Sequence, residues 1–472
     1  MMKRCPYAVL FLFLIPALLP VSGYGAVNFT TLVSFNGTNG AVPEATMIQG
    51  EDGFLYGTTI GGGTNDFVNG GYGTVFRIST NGEFATIHSF APPANPQSGV
   101  LQASDGNFYG VSDYGGYGNG NFYQLTPSGA YTQLYAFTYA IGGYPHGLTL
   151  GADGAFYGTA IYGGTDTNSL GTIYKISADG SATLLASFHG TNGAHPQNRL
   201  LLATDGNFYG TTPEGGAFDL GTVFRVTPSG LISTLVSFNG TNGAAPYGAL
   251  MQGRDGLIYG TTYGGGIDFS GPWYSGNGTI FTIDTNGGFT TRYQFKGYPD
   301  DVIRPGFGAL VQDRQGSFYG TSEAGGAGGS GTIFRWAPDG TEKLLYSFSR
   351  PDYQSGTNAD GWAPTAGLTQ VGEGIFFGVT MHGGLYADGT IFRIVVTPDP
   401  PTLKGTPSSD GGNILLTWNA VPGSSYEVQS TTNLVQGTWK PVTQLVATNT
   451  TPSVSASKGP NEACFYRVRL LP

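Results

Sequence analysis

Seven prolines recur along the chain, and the residue after each is free to differ: Glu44, Gln97, His146, Gln197, Tyr247, Gly306 and Thr365. A carboxylate, two amides, an imidazole and a phenol gathered at one mouth could hydrogen-bond a sugar or hold a metal ion. They could equally form a solvated rim, because polar side chains are usually exposed. Trp273, Tyr274 and Trp362 lie in long inserted segments, where they could stack on sugar rings or pin their own loops by apolar burial. Of the five histidines, His146, His189 and His195 could converge on a metal or proton-transfer centre, but their spacing matches no ligand pattern. His88 lies in a strand whose counterparts are apolar or neutral, which indicates packing. The Asn36-Gly-Thr-Asn39 type of loop and the pair Asn358 and Asp360 offer oxygens, but too few carboxylates for a hard cation. No nucleophile, base and orienting acid stand out as a set. The sequence therefore predicts no catalytic residue, metal or cofactor.

A repeat must position these residues. An acidic or polar residue, a glycine, two variable residues, an aromatic and a glycine return seven times, from Asp52-Gly53-Phe-Leu-Tyr56-Gly57 to Glu373-Gly374-Ile-Phe-Phe377-Gly378. Successive aromatics are 53, 48, 52, 50, 60 and 58 residues apart. A period of this size marks supersecondary units that cannot bury an apolar face alone. Each unit reads as four strands. The first starts at the proline, where a missing N–H costs no ladder bond. The second follows the Asp-Gly turn and ends at a glycine pair. The third is of the type Thr222-Val-Phe224, and the fourth ends in an aromatic such as Phe238.

The chain begins with a fourth strand, residues 30–35, and the repeats end with a third strand, 389–396. The expectation is an all-β, seven-bladed β-propeller closed by the N-terminal strand, which leaves no open sheet edge. Its first-to-second and third-to-fourth turns are tight. The long connections share the opposite face, and that face is the candidate working surface.

The flanks differ from the repeats. Residues 1–25 carry Lys3 and Arg4, then an apolar run too short to span a bilayer, and read as a secretory signal peptide cleaved between Gly23 and Ala26. Its loss takes the net charge from −10 to −12, since two cations leave and no acid does. Such an acidic chain is a poor partner for nucleic acid or an anionic membrane. The mature chain keeps one cysteine, Cys464, which rules out an internal disulfide and a Cys-rich zinc site. Glycine makes up 80 of 472 residues, and 30 Phe with 28 Tyr supply a core, so the composition fits many short strands joined by tight turns. Residues 26–397 form the repeat region, 398–401 a proline-rich linker and 402–472 a small β-sandwich.

The order strand, glycine pair, strand, turn, strand resembles the kelch propeller repeat, although kelch's fourth-strand tryptophan is absent. Phrases such as Gly221-Thr-Val-Phe-Arg225 and Asp205-Gly-Asn-Phe-Tyr-Gly-Thr-Thr212 more closely resemble the exported bacterial Gloeo/Verruco (GloVer) repeat family, over residues ~28–396. That resemblance implies export and repetition and no particular reaction. Trp418 with Tyr426-Glu-Val428 resembles a trimmed fibronectin type III domain. The function expected is an exported, monomeric, non-catalytic scaffold at the cell surface or secreted, binding extracellular polysaccharide or a surface protein. The alternative is a polysaccharide hydrolase or lyase acting at the channel mouth.

Overall fold

The computed structural model describes residues 26–64, 71–115, 118–165, 168–297, 302–305, 307–397, 403–407, 413–418, 420, 425–432, 439–448, 451–457 and 465–471. The expected signal peptide 1–25, Gly306, the expected linker 398–401 and Cys464 lie outside the described residues. Among those described, every regular element is a β-strand, and no helix is long and apolar enough to cross a membrane. The chain divides into two compact units, Val27–Val395 and a second that includes Val396–Pro472.

The larger unit holds seven four-stranded antiparallel sheets, and its fold is propeller-like. The first sheet runs Ile48–Gln49, Leu55–Thr59, Thr74–Ile78 and Phe84–Ser89. Five more follow in strict chain order. The remaining sheet runs Thr369–Gly372, Ile375–Thr380 and Thr390–Val396, and its fourth strand is Val27–Ser34 from the other end of the chain. This sheet also meets the first: Thr46 accepts a hydrogen bond from the Gly367 amide, and Thr369 donates to the Met47 carbonyl at 2.6 Å.

The recurring phrase makes three contacts at once. Asp205 Oδ1 accepts the Asn207 amide, which fixes the turn, and Asp205 Oδ2 accepts the Tyr209 hydroxyl at 2.7 Å. Asp52, Asp105, Asp153 and Asp255 hold Tyr56, Tyr109, Tyr157 and Tyr259 in the same way. In the sixth unit Gln315 replaces the aspartate, and Asp313 reaches Tyr319 instead, at 2.9 Å. The glycine after the tyrosine is needed for close approach. A Cβ on Gly210 would lie 2.5 Å from the Phe224 ring on the neighbouring strand, and the same holds for Gly57 under Phe76 and Gly158 under Tyr174.

Side chains alternate between the faces of a strand, so the residue before each tyrosine points the other way. This joins one sheet to the next. Tyr56 packs on Phe108 at 4.1 Å between ring centres, Tyr109 on Phe156 at 4.6 Å, Tyr157 on Phe208 at 4.2 Å, Tyr259 on Phe318 at 4.2 Å and Tyr319 on Phe376 at 4.4 Å. Tyr209 with Ile258, and Phe377 with Leu55, complete the series through shared apolar clusters.

The first strand of each unit departs from expectation. Ladder pairing covers only two residues in most units and starts after the proline segment. The proline segment bonds sideways to the next unit instead: Thr58 donates to the Ser98 carbonyl and Thr211 to the Gly248 carbonyl. The third unit alone has a long first strand, Gly143–Leu150.

The second compact unit has two three-stranded antiparallel sheets. They share one core that includes Ile414, Leu416, Trp418, Tyr426 and Val428.

Gly210→Ala forces the Phe224 ring aside. Overpacking of this kind is expected to cost about 1–3 kcal/mol, read as a fall in the denaturant midpoint at unchanged slope. An unshifted midpoint would show that the packing of this sheet does not depend on that glycine.

Candidate functional site

The proline segments converge on one cavity of about 370 Å³. Glu44, Gln97, His146, Gln197, Tyr247 and Thr365 all line it. The backbone that delivers them is strained and tied down. Six of the residues that precede these prolines have positive φ: Val42, Tyr144, His195, Ala245, Arg304 and Ala363, at 50–60°. Side chains disfavour that region, and a following proline restricts the backbone further. Each strained amide donates to the previous unit, as Ala245 does to the Leu220 carbonyl at 2.9 Å and Ala363 to the Ser330 carbonyl at 2.9 Å. The strain is therefore held by the junctions between units.

A second set of variable residues contributes neighbours to the first. It sits directly after the Tyr-Gly-Thr-Thr strand: Ile60, Asp113, Ile161, Pro213, Tyr263, Glu323 and Met381. The pre-proline carbonyl fixes its backbone, since Asn95 accepts from Asp113, Ala245 from Tyr263 and Ala363 from Met381. Glu323 and Met381 line the cavity. Sequence reasoning missed this set, although its signal was available: it is the one irregular position beside a near-constant strand.

Three environments make up the wall and the residues packed behind or beside it. In the first, Gln97 donates to Glu44 at 3.1 Å, and burial pushes the Glu44 carboxyl above its usual range. In the second, His146 Nε2 lies 3.6 Å from Asp113 Oδ1, and both side chains are almost fully buried. Burial, with the Glu44 charge added, raises Asp113 to about 8, and burial lowers His146 to about 4. Between those values the pair is neutral. The Gln197 backbone engages His146 as well. The third environment is aromatic. Tyr247 stacks on Phe307 at 5.1 Å and meets Tyr263 at 5.7 Å and Trp273 at 6.1 Å. Trp273 is 43% exposed and touches Tyr274, which is 55% exposed.

The other expected residues lie elsewhere. Trp362 packs on His382 at 4.4 Å and hydrogen-bonds the Gly356 carbonyl; it is not on the cavity wall. His195 pairs with Glu214 at 2.8 Å rather than with His146. His88 stacks on Tyr131. Asp360 accepts from Tyr346 and Ser349, and Asn36 and Asn39 cap each other's amides, so these oxygens serve their own loops. Among the described residues no group of three or more acidic, histidine or cysteine side chains could hold a metal ion.

Ordered strands, a sevenfold unit and a cavity built from one residue position per unit define a propeller-like repeat protein. The Gloeobacter/Verrucomicrobia repeat model matches residues 22–201, 95–307 and 274–418, and the chain belongs to that family. No curated protein matches it. Among solved structures, it is similar to the extracellular domain of a candidate hybrid two component system from B. thetaiotaomicron. There the identity is 14% and the TM-score 0.49, over 94% of this chain and 55% of that one. It is also similar to puromycin hydrolase, with 14% identity and TM-score 0.49 over 86% and 62%. A gluconolactonase from Xanthomonas campestris has 17% identity and TM-score 0.37 over 62% and 82%. The chain thus spans a little over half of the first of these structures. Likeness at this level assigns no activity.

The neutral pair sets a pH dependence. Asp113 is raised in the folded state, so its contribution is complete below the unfolded value of ~3.9 and is lost as pH rises through about 8. His146 is lowered, so its contribution is lost as pH falls from ~6.5 through about 4. Asp113→Asn removes the first titration. Its stability relative to the parent should rise between pH 5 and 8 by up to about 1.4 kcal/mol per pH unit, as followed by chemical denaturation. A difference independent of pH would contradict the buried neutral acid.

Proposed function

We propose that this chain is an exported, non-catalytic scaffold that binds carbohydrate at the mouth of a seven-bladed propeller. In this reading the N-terminal strand Val27–Ser34 closes the ring. Residues 1–25 are a cleaved signal, and the C-terminal sandwich is a fibronectin type III-like spacer or second module. The protein acts as a monomer, secreted or at the cell surface.

One observation carries the proposal. The connections between second and third strands and between fourth and first strands share one end of every sheet, because neighbouring strands are antiparallel. Of the eleven large exposed hydrophobic residues among those described in the larger unit, ten lie on those connections or at their margins, among them Tyr139, Phe218, Trp273, Tyr274, Tyr353 and Tyr386; Leu231 is the exception. The cavity opens among the same connections' proline segments, and its volume is within the ~300–1,000 Å³ usual for ligand sites. Aromatic faces beside hydroxyl, amide and carboxyl groups suit a sugar, which has apolar ring faces and a polar edge. His146, on which a hydrolytic or lyase reaction at the mouth would turn, is almost fully buried, with its Nε2 3.6 Å from Asp113 Oδ1 and no hydrogen bond at either atom among the described residues, and this burial favours binding over catalysis.

A glycan array followed by calorimetry tests this. For any oligosaccharide that binds, Tyr247→Ala and Trp273→Ala should each weaken affinity about tenfold, roughly 1.4 kcal/mol. Trp362→Ala should leave it unchanged. Binding that survives both changes would place the ligand elsewhere.

A further inference from the structure

The crowded inner edge of the ring is lined by one residue per unit, aligned by the strand register. Six of them are small: Thr46, Gly99, Gly147, Ala249, Ala309 and Gly367. The seventh is Arg199. Space there is tight, since a Cβ on Gly147 would lie 2.5 Å from the Arg199 backbone. Packing favours small residues here, and an arginine satisfies no need of the fold. Arg199 is the one Lys or Arg among the described residues of the cavity wall. No ion pair or hydrogen bond engages its side chain among those residues, although guanidinium offers five donors. It reaches solvent through the cavity, while the protein around it withholds enough water to push its guanidinium below the usual value.

We propose that Arg199 receives the carboxylate of an acidic sugar, so that the cavity takes a uronic acid residue of an anionic polysaccharide. This rests on the carbohydrate reading above and narrows it. Guanidinium matches carboxylate through two parallel charge-assisted hydrogen bonds. The Tyr247 and Phe307 rings offer a face to the sugar ring, and Gln97 with Glu44 offers a donor and acceptor pair to its hydroxyls. The overall negative charge is no obstacle at this site. Burial raises both Glu44 and Asp113, which weakens the local repulsion, and Asp113 stays neutral below about 8. Glu323 is the remaining acid on the wall.

The test compares uronate oligosaccharides with neutral oligosaccharides of equal length by calorimetry at pH 6.5. The full chain is used with Arg199→Gly and Arg199→Lys. Glycine is the residue that three other units carry at this position, so the fold should tolerate it. The expected result is uronate binding that Arg199→Gly weakens by at least about tenfold, that Arg199→Lys partly restores, and that added salt weakens. Neutral oligosaccharides should bind less tightly and be indifferent to the substitution. Neutral and acidic ligands bound equally well, with Arg199→Gly without effect, would overturn the uronate assignment and leave carbohydrate binding standing. Binding of neither would overturn both.

Discussion

The contact on which the rest depends is the stack between the tyrosine of one sheet and the residue before the tyrosine of the next. Two adjacent positions in one strand face opposite ways, so a dipeptide such as Phe208-Tyr209 touches both neighbouring sheets. Each aromatic pair is worth only about 0.5–1.5 kcal/mol beyond its area. Its importance is geometric, since it sets how one sheet sits on the next. The aspartate that holds the tyrosine hydroxyl and the glycine that admits the cross-strand ring both serve that placement. The sixth unit shows the constraint: the usual aspartate is missing, and Asp313 restores the tyrosine bond from two residues away.

The proline segments are free to leave the ladder because the stacks already join the sheets. They bond sideways to neighbouring units and keep a strained residue before each proline. Strain of that kind persists where surrounding bonds over-determine it. Here those bonds cross unit boundaries, so the cavity wall and the sheet junctions are one construction. Side chains at the wall are relieved of structural duty and can vary, which is why the seven units carry six different residue types after the proline.

Much of this was legible in the sequence because the repeat is strict where packing is strict. Asp205, Tyr209 and Gly210 return because each makes fixed contacts that few other residues could replace. The cavity residues after the prolines were legible for the opposite reason, as variation beside constancy. Asp113 and Arg199 were harder to see. Asp113 lies between its strand and the glycine pair that ends it, and only the fold brings it to His146, 33 residues on. Arg199 stands at a small-residue position that the register reveals, because the third unit is one residue shorter between proline and leucine. Trp362 had two readings of equal standing in the sequence, and its contacts are with His382 and Gly356.

If the N-terminal strand closes the ring, hydrogen exchange will register it. Amides open together when one cooperative unit protects them. In a closed ring Val27–Ser34 exchanges with the same protection as its partner strand Thr390–Val396, and inner strands of all seven sheets share one global opening. Early exchange of Val27–Ser34, with protection falling from sheet to sheet along the chain, would contradict a closed ring.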